Sequence, residues 1–287
     1  MSVRRRGSLA LALGAAALTV GLLGSPAGAG ADAERSGGKP EFEVLVFSKT
    51  ATFRHLSIPD GIAAIRELGA QNDFAVEATE DAGQFTSRNL KRFEAVIFLL
   101  TTGTVLDEPQ KRALMRYIRR GGGYVGIHSA ADTEHEWPFY GRLVGAWFQN
   151  HPIQQTAEFT TEARTHPATA HLDARFTVFD EFYSFKSNPR PDARVLLSID
   201  ESTYSPDPNT SHLPGGTPSS GVMGDHPMSW CHDAIRGRRG KPGGRSFYTA
   251  LGHESYLYGL EWFRTHVLGG ILTATREVKA GCKPRPA

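Results

Sequence analysis

Short apolar runs alternate with amphipathic stretches through the first half of the chain. The runs predict four strands, at Phe42–Phe47, Phe74–Thr79, Ala95–Leu100 and Tyr124–Ile127. Helical spacing of apolar residues predicts one helix after Ser57, which we expect to be its N-cap, and another that begins at Asp107. Strands that alternate with helices of about 10–15 residues indicate βαβ units, and therefore an α/β fold with a parallel sheet.

The pattern is less regular in the second half of the chain. Further elements are predicted at Phe139–Phe148 (helix), at Thr156–Thr160, Phe176–Tyr183, Ala193–Ser198 and Ser246–Leu251 (strands), and at Trp262–Thr275 (helix). A stretch rich in Pro, Ser, Thr and Gly predicts a long loop at Asp200–Gly224. Because no internal repeat and no linker interrupts the chain, we expect one domain at 41–277, followed by a C-terminal tail at 278–287.

The N-terminus has the pattern of a secretory signal peptide at residues 1–31. Arg4–Arg6 form a basic segment, and Leu9–Leu23 form an apolar segment that is followed by small residues suited to a signal peptidase. Removal of this peptide leaves a flexible lead-in at 32–40 and lowers the formal net charge from +2 to about −1. We therefore predict a secreted, extracellular protein with no nucleic-acid partner and, after cleavage, no membrane partner. An uncleaved membrane anchor is the alternative.

The two cysteines of the chain are Cys231 and Cys282. An even number of cysteines in an exported chain favours a disulfide, which here would tether the C-terminal tail. The alternative is a catalytic thiol at Cys231, beside Trp230 and His232.

The segment Gly121–Ala130 predicts a sharp turn at the end of a buried strand. It nearly follows the G-x-nucleophile-x-G pattern, in which the turn lifts a reactive side chain off the carboxyl edge of a sheet. Here His128 stands at the position of the nucleophile, and Ser129 follows it. The pattern favours acid–base or metal-assisted chemistry over covalent acyl transfer, with Ser129 as the alternative nucleophile.

Three histidines, His55, His128 and His253, follow predicted strands. Because the loops after parallel strands meet at one edge of a sheet, we expect these histidines to lie together, with His151 nearby. Imidazole suits acid–base catalysis near neutral pH, so His55, His128, Ser129 and His253 are the candidate catalytic residues. If Zn²⁺ or another divalent metal is bound, the expected ligands are His128, His151 and His253. No H-E-x-x-H spacing occurs, so the sequence leaves the cofactor open.

Polar and aromatic side chains near the predicted cleft are candidates for substrate binding. They are Arg54, Asp132, Tyr140, His151, Glu181, Tyr183 and Trp230. Alternation along a strand allows only one of Asp180 and Glu181 to face the cleft, and we expect the other to be solvated. Tyr140, Tyr183 and Trp230 offer flat faces of the kind that stack on sugar rings, with ordinary core packing as the alternative.

Five segments of the chain resemble the trehalose-utilisation (ThuA-like) family, which is related to class I glutamine amidotransferases. They are Thr52–His55, Gly121–Ala130, Phe179–Tyr183, His226–Trp230 and Gly244–His253. The resemblance implies an α/β fold that is a flavodoxin-like three-layer sandwich, with a mostly parallel central sheet and inserted β-strands and loops. The two cysteines also resemble those of exported members of the family, which supports the disulfide.

The resemblance does not extend to amidotransferase chemistry, because that reaction needs a cysteine where this chain has His128. The family is linked to sugar catabolism, including disaccharides oxidised to 3-keto forms. We therefore expect a secreted enzyme whose partner is a small-molecule carbohydrate, a sugar or keto-sugar, and whose chemistry is histidine acid–base or metal-assisted. A non-catalytic carbohydrate-binding module and a Zn-dependent hydrolase are the alternatives.

Overall fold

The computed structural model describes residues 40–206, 221–233, 235–237, 240 and 242–285. The predicted signal peptide, residues 32–39 of the predicted lead-in and residues 207–220 of the predicted long loop lie outside these ranges. Within them, no helix combines the length and the apolar character that a membrane span requires.

The described residues form helices and strands that alternate as the sequence predicts. The helices are α1 (Ile58–Gln71), α2 (Glu108–Ile118), α3 (Pro138–Val144) and α4 (Glu261–Thr275). The strands are β1 (Phe42–Phe47), β2 (Phe74–Thr79), β3 (Ala95–Leu99), β4 (Gly123–Ile127), β5 (Phe148–Asn150), β6 (Gln155–Thr161), β7 (Arg175–Asp180), β8 (Ser184–Phe185), β9 (Arg194–Ile199), β10 (Pro227–His232) and β11 (Ser246–Thr249).

One large sheet organises the molecule, with the strand order β2-β1-β3-β4-β11-β10-β9-β6-β7. The first five strands in this order, β2, β1, β3, β4 and β11, pair in parallel. The order 2-1-3-4 followed by a late strand is that of flavodoxin-like folds. The inserted strands β10, β9, β6 and β7 extend the same sheet by antiparallel pairing. The predicted fold class is confirmed.

Helices cover both faces of the central strands and so produce three layers. β3 is buried along its whole length, as a parallel strand covered on both faces must be. On one face of β4, Gly123 lies directly against the backbone of Ala274 in α4. On the other face, the hydroxyl of Tyr124 lies 2.8 Å from that of Tyr140 in α3.

The two predicted helix starts differ in how they are capped. At α2, Asp107 accepts a hydrogen bond from the backbone N–H of Gln110 (2.8 Å), and the Gln110 side chain accepts one from the N–H of Asp107 (2.8 Å). Ser57 is the N-cap residue of α1, as predicted, but its side chain makes no capping hydrogen bond. Its hydroxyl is buried and donates to the carbonyl of Gly252 (3.2 Å), because the loop after β11 packs against this end of the helix.

The predicted helix Phe139–Phe148 is too long, since α3 ends at Val144. Gly145 has a φ of 100°, and a Cβ at this position would lie 2.4 Å from the indole nitrogen of Trp230. Glycine therefore ends the helix and lets the indole approach the backbone. Phe148, the last residue of the predicted helix, begins β5, which pairs with β8.

A disulfide joins Cys231 in β10 to Cys282 near the C-terminus, with the two Cα atoms 5.2 Å apart. Both residues are buried, and neither is a free thiol. The predicted disulfide is confirmed, and the alternative of a catalytic thiol at Cys231 is wrong. The bond holds the tail against the antiparallel part of the sheet.

Candidate functional site

The carboxyl ends of four strands bring the candidate residues to one edge of the sheet. His55, His128 and His253 follow β1, β4 and β11, which run in the same direction. Glu181 follows β7, the strand at the antiparallel end of the sheet order. Four antiparallel steps separate β11 from β7, so β7 runs in the same direction as β11 and ends at the same edge. The topology therefore places Glu181 among the histidines.

We call the group of His55, His128, Glu181 and His253 the His/Glu cluster. Each residue offers one atom able to bind a metal, and these atoms all lie within 4.8 Å of one another. Oε2 of Glu181 lies 3.4 Å from Nε2 of His128 and 3.2 Å from Nδ1 of His253. The two imidazole nitrogens are 3.3 Å apart. The ring of His55 packs edge-on against those of His128 and His253, with centroid distances of 4.9 and 5.0 Å.

His128 occupies the predicted sharp turn after β4. Its φ of 51° is in the left-handed region, which a non-glycine residue adopts at a cost in free energy. Residues in such strained conformations are often found at functional sites. Its Nδ1 lies 2.7 Å from the carbonyl oxygen of Ala250, so Nδ1 is the donor and Nε2 is the nitrogen directed to the cluster. The hydroxyl of Tyr248 donates to the backbone carbonyl of His128 (2.8 Å) and holds the turn.

Asp180 holds the loop that carries His253. Its carboxylate accepts hydrogen bonds from the backbone N–H groups of Gly252 (2.8 Å) and Glu254 (3.1 Å), on either side of His253. Gly252 has a φ of 120°, a conformation that glycine adopts readily. Burial raises the pKa of Asp180 to about 6.

Asp180 and Glu181 are both buried, so the expectation that one of them is solvated is wrong. The predicted strand Phe176–Tyr183 ends at Asp180 instead, and strand alternation does not apply beyond that residue. Asp180 turns to the backbone of the β11 loop, while Glu181 turns to the histidines. The fold uses one carboxylate to position a loop and the other to gather side chains.

Glu181 and His253 form a partly buried ion pair. Burial alone would raise the pKa of Glu181, but the close imidazoles of His128 and His253 outweigh burial and hold that pKa below its usual range. Burial alone would lower the pKa of His253, but the hydrogen bond to Glu181 and the charge of that residue raise it. The two groups therefore stabilise each other's charged forms.

His55 and Ser129 form the buried side of the cluster. Nδ1 of His55 lies 3.4 Å from the hydroxyl oxygen of Ser129, and Ser129 is completely buried. Burial, together with the charges of the neighbouring histidines, lowers the pKa of His55 to about 2. The prediction of Ser129 as a catalytic residue is corrected, because its hydroxyl is covered by His55 and does not line the pocket.

A pocket of about 510 Å³ opens above the cluster, within the size range of small-molecule sites. It is lined by Phe53, His55, Thr102, Asp132, Phe148, Asn150, His151, Pro152, Ile153, Gln154, Glu181, Tyr183 and His253. Phe53 and Ile153 leave 61% and 57% of their surface exposed and form an apolar rim. The sequence patterns did not predict this rim, although the position of Phe53 after β1 could have indicated it.

Three of the predicted substrate-binding residues line the pocket besides Glu181. Nδ1 of His151 lies 3.2 Å from Oε1 of Glu181 and 2.8 Å from the carbonyl oxygen of Pro152. The ring of Tyr183 packs on that of His128, with a centroid distance of 4.2 Å. Asp132 lies at the pocket wall, where it pairs with His135 (2.7 Å).

The structure corrects the other three substrate-binding predictions. Arg54 is directed to Glu80, with which it makes two hydrogen bonds of 3.0 and 2.7 Å, and it does not line the pocket. Tyr140 and Trp230 are completely buried in the core. The indole N–H of Trp230 donates to the carbonyl of Val144 (2.8 Å). Because the ring is completely buried, its face is covered by protein and cannot stack on a sugar.

The structure groups a different set of residues from the ligands expected for a bound metal. The group with metal-binding spacing contains His128 and His253, but His55 and Glu181 take the place of His151. The side chain of His151 contacts the opposite oxygen of the Glu181 carboxylate, Oε1 rather than Oε2. His151 therefore lies beside the cluster and in the pocket.

Comparisons with known proteins agree with this fold. The model of one protein family, ThuA, described as trehalose utilisation, matches residues 43–274. A ThuA-like protein from Bacteroides uniformis ATCC 8492 is 20% identical over 82% of this chain and 92% of its own, with a TM-score of 0.64. A ThuA-like protein from Parabacteroides merdae ATCC 43184 is 16% identical over 85% of this chain and 97% of its own, with a TM-score of 0.61. The comparison with curated proteins gives no match.

Proposed function

Because the chain belongs to the ThuA family, whose model spans residues 43–274, we propose that it is an enzyme that acts on a sugar or keto-sugar. We further propose that it works outside the cell, after removal of the predicted signal peptide. The single observation that carries the enzymatic proposal is the His/Glu cluster at the floor of the pocket. Charged and imidazole side chains buried at a pocket floor are costly for stability, and such groups concentrate at catalytic sites.

The reaction that suits these groups best is proton transfer beside a carbonyl. Nδ1 of His151 faces two acceptors, Glu181 and the carbonyl of Pro152, so Nδ1 carries the proton and Nε2 is the nitrogen that can accept one. We assign His151 as the general base, oriented by Glu181. The cluster stabilises the charge that develops on the carbonyl oxygen.

The step is balanced within a keto-sugar. Nε2 of His151 takes a proton from the carbon next to the carbonyl, and the C–H electron pair forms a carbon–carbon double bond while the carbonyl becomes an enolate. Where the deprotonated carbon carries a hydroxyl, the proton of that hydroxyl passes to the enolate oxygen. His151 then returns its proton to the former carbonyl carbon, and the carbonyl now stands on the neighbouring carbon, so the sugar is isomerised. In a 3-keto disaccharide, the deprotonated carbon C2 adjoins the anomeric carbon C1. The enolate can then instead re-form the C3 carbonyl and make a double bond between C2 and C1, which expels the glycosidic oxygen, and that oxygen takes up the proton that His151 holds.

The alternative of a non-catalytic carbohydrate-binding module loses its main support. That hypothesis depended on the aromatic faces of Tyr140, Tyr183 and Trp230. Two of these residues, Tyr140 and Trp230, lie in the core. Tyr183 remains at the pocket, but its ring is packed between His128 and Phe148.

The test is incubation of the secreted protein with trehalose and with 3-keto disaccharides, followed by mass spectrometry. We expect conversion of at least one of these sugars, and a loss of about 100-fold or more in rate for His151→Ala, as for removal of a general base. The matched control is His171→Ala, which removes an exposed histidine that bonds to the carbonyl of Trp262, away from the pocket. Binding of a sugar without conversion would favour the binding module. An unchanged rate for His151→Ala would contradict the assigned base.

A further inference from the structure

Three atoms of the His/Glu cluster lie at the corners of a nearly equilateral triangle. Nε2 of His128, Nδ1 of His253 and Oε2 of Glu181 are separated by 3.2, 3.3 and 3.4 Å. A tetrahedral ion with ligands at about 2.0–2.1 Å requires its ligands to be about 3.3–3.4 Å apart. The three atoms therefore have the spacing of one face of a tetrahedral coordination sphere.

Hydrogen bonding alone accounts less well for this arrangement. Two imidazole nitrogens face a single carboxylate oxygen and also face each other at 3.3 Å. At most one of two facing nitrogens can donate a hydrogen bond to the other, and only while the other is unprotonated. A bound cation would satisfy all three atoms at once, because each can direct a lone pair to it.

The groups around the triangle fix the ligands as they do in established metal sites. The carbonyl of Ala250 accepts from Nδ1 of His128 (2.7 Å), which holds Nε2 toward the triangle. Oε1 of Glu181 accepts from Nε2 of Gln154 (3.2 Å), which orients the carboxylate. Asp180 holds the backbone on both sides of His253.

We propose that His128, His253 and Glu181 bind a divalent ion of the zinc class, with His55 and the pocket on the fourth side. Two imidazoles and one carboxylate suit Zn²⁺ better than Mg²⁺ or Ca²⁺, which prefer all-oxygen sites. Since His55, Glu181 and His253 also line the pocket, a pocket ligand can reach the ion. Its use in catalysis rests on the proposed function: it would polarise the sugar carbonyl whose neighbouring proton His151 removes.

The experiment measures metal binding directly, with Co²⁺ as a spectroscopic probe for the zinc site. The full secreted chain is stripped with a chelator, titrated with Co²⁺ and then with Zn²⁺, and analysed for metal content. We expect one ion per chain, visible absorption bands of tetrahedral Co²⁺, and their loss on addition of Zn²⁺. Glu181→Gln and His253→Ala should weaken binding by about 100-fold or more, beyond the roughly 10–100-fold that loss of an outer partner costs.

The matched control is His151→Ala, because His151 contacts Glu181 but lies outside the triangle. Because it removes a partner of Oε1 of Glu181, it should weaken Co²⁺ binding by no more than the roughly 10–100-fold that loss of an outer partner costs, and circular dichroism should show the native fold in all three variants. Absence of Co²⁺ binding in the wild type would overturn the site. So would binding as tight as that of the wild type in Glu181→Gln and His253→Ala. Sugar conversion by the metal-free chain would overturn the metal's catalytic role and leave the proposed function standing. Metal binding without conversion of any sugar would leave the metal site standing and contradict the proposed function.

Discussion

At the scale of single residues, the pocket combines a polar floor with an apolar rim. Phe53 packs edge-on against the ring of His55, with a centroid distance of 4.8 Å, and presents most of its surface to solvent. Ile153 is similarly exposed on the rim. An exposed aromatic ring beside buried polar groups is a suitable surface for the apolar face of a sugar.

We predict that Phe53→Ala weakens substrate binding without changing the chemical step. Loss of a stacking surface costs about 1 kcal/mol, so KM should rise roughly fivefold while kcat stays within about twofold. Leu56→Ala is the control, because Leu56 is 90% exposed and does not line the pocket. Steady-state kinetics of both variants check this, and an unchanged KM for Phe53→Ala would show that the rim does not contact the substrate.

Residue identities at the site were only partly predictable. The positions of His55, His128 and His253 after strands indicated that they would meet, and their rings do pack together. Tyr140 and Trp230 looked equally suited to sugar binding, since an aromatic residue has the same sequence pattern in a core and in a pocket. Their complete burial depends on how α3 packs in the folded chain, and the pattern that predicted a helix there does not specify that packing.

At the scale of elements, contacts from the end of β11 hold the turn after β4 in a strained conformation. His128 adopts a left-handed conformation there, while the hydrogen bond from its Nδ1 to Ala250 ties the turn to the end of β11. The left-handed conformation costs a non-glycine residue about 1–2 kcal/mol. The surrounding contacts offset this cost and keep the imidazole in the His/Glu cluster.

We predict that His128→Gly is more stable than His128→Ala by about 0.5–1 kcal/mol, because glycine relieves the left-handed strain although it is more flexible when unfolded. Both variants leave a similar cavity, so the comparison isolates the backbone. At His266, inside α4, the order should reverse, with His266→Gly about 1 kcal/mol less stable than His266→Ala. Urea unfolding measures all four free energies. If the glycine variant were the less stable one at both positions, the left-handed backbone at His128 would not cost measurable free energy.

At the scale of the whole molecule, several buried histidines far from the pocket remain neutral in the folded state. Burial lowers the pKa of His266 and of His232 to about 4, and that of His166 to about 3. His266 is enclosed by Phe247 and Phe263 and bonds to the carbonyl of Ala168. When the chain unfolds, each of these imidazoles returns to a pKa of about 6.5.

We predict that the free energy of unfolding falls as pH decreases from about 6.5 to about 4. The unfolded state binds more protons than the folded state in this window, so acid favours unfolding, with a contribution from His266 of about 3 kcal/mol. Urea unfolding at pH 7 and pH 4 should show a smaller decline for His266→Gln than for the wild type. His171→Gln, at an exposed position, should decline as the wild type does. An equal decline in His266→Gln would contradict the assignment.

The sequence by itself determined the strands of the parallel core, the helices between them, the family and the disulfide. These features depend on apolar periodicity and on residue types, both of which are local. The tertiary structure alone decided the composition of the His/Glu cluster. Glu181 reaches the histidines because four successive antiparallel pairings give β7 the same direction as β11. The spacing of residues along the chain does not reveal the number of these pairings. The triangle of possible metal ligands, with edges of 3.2 to 3.4 Å, exists only where those distant segments meet.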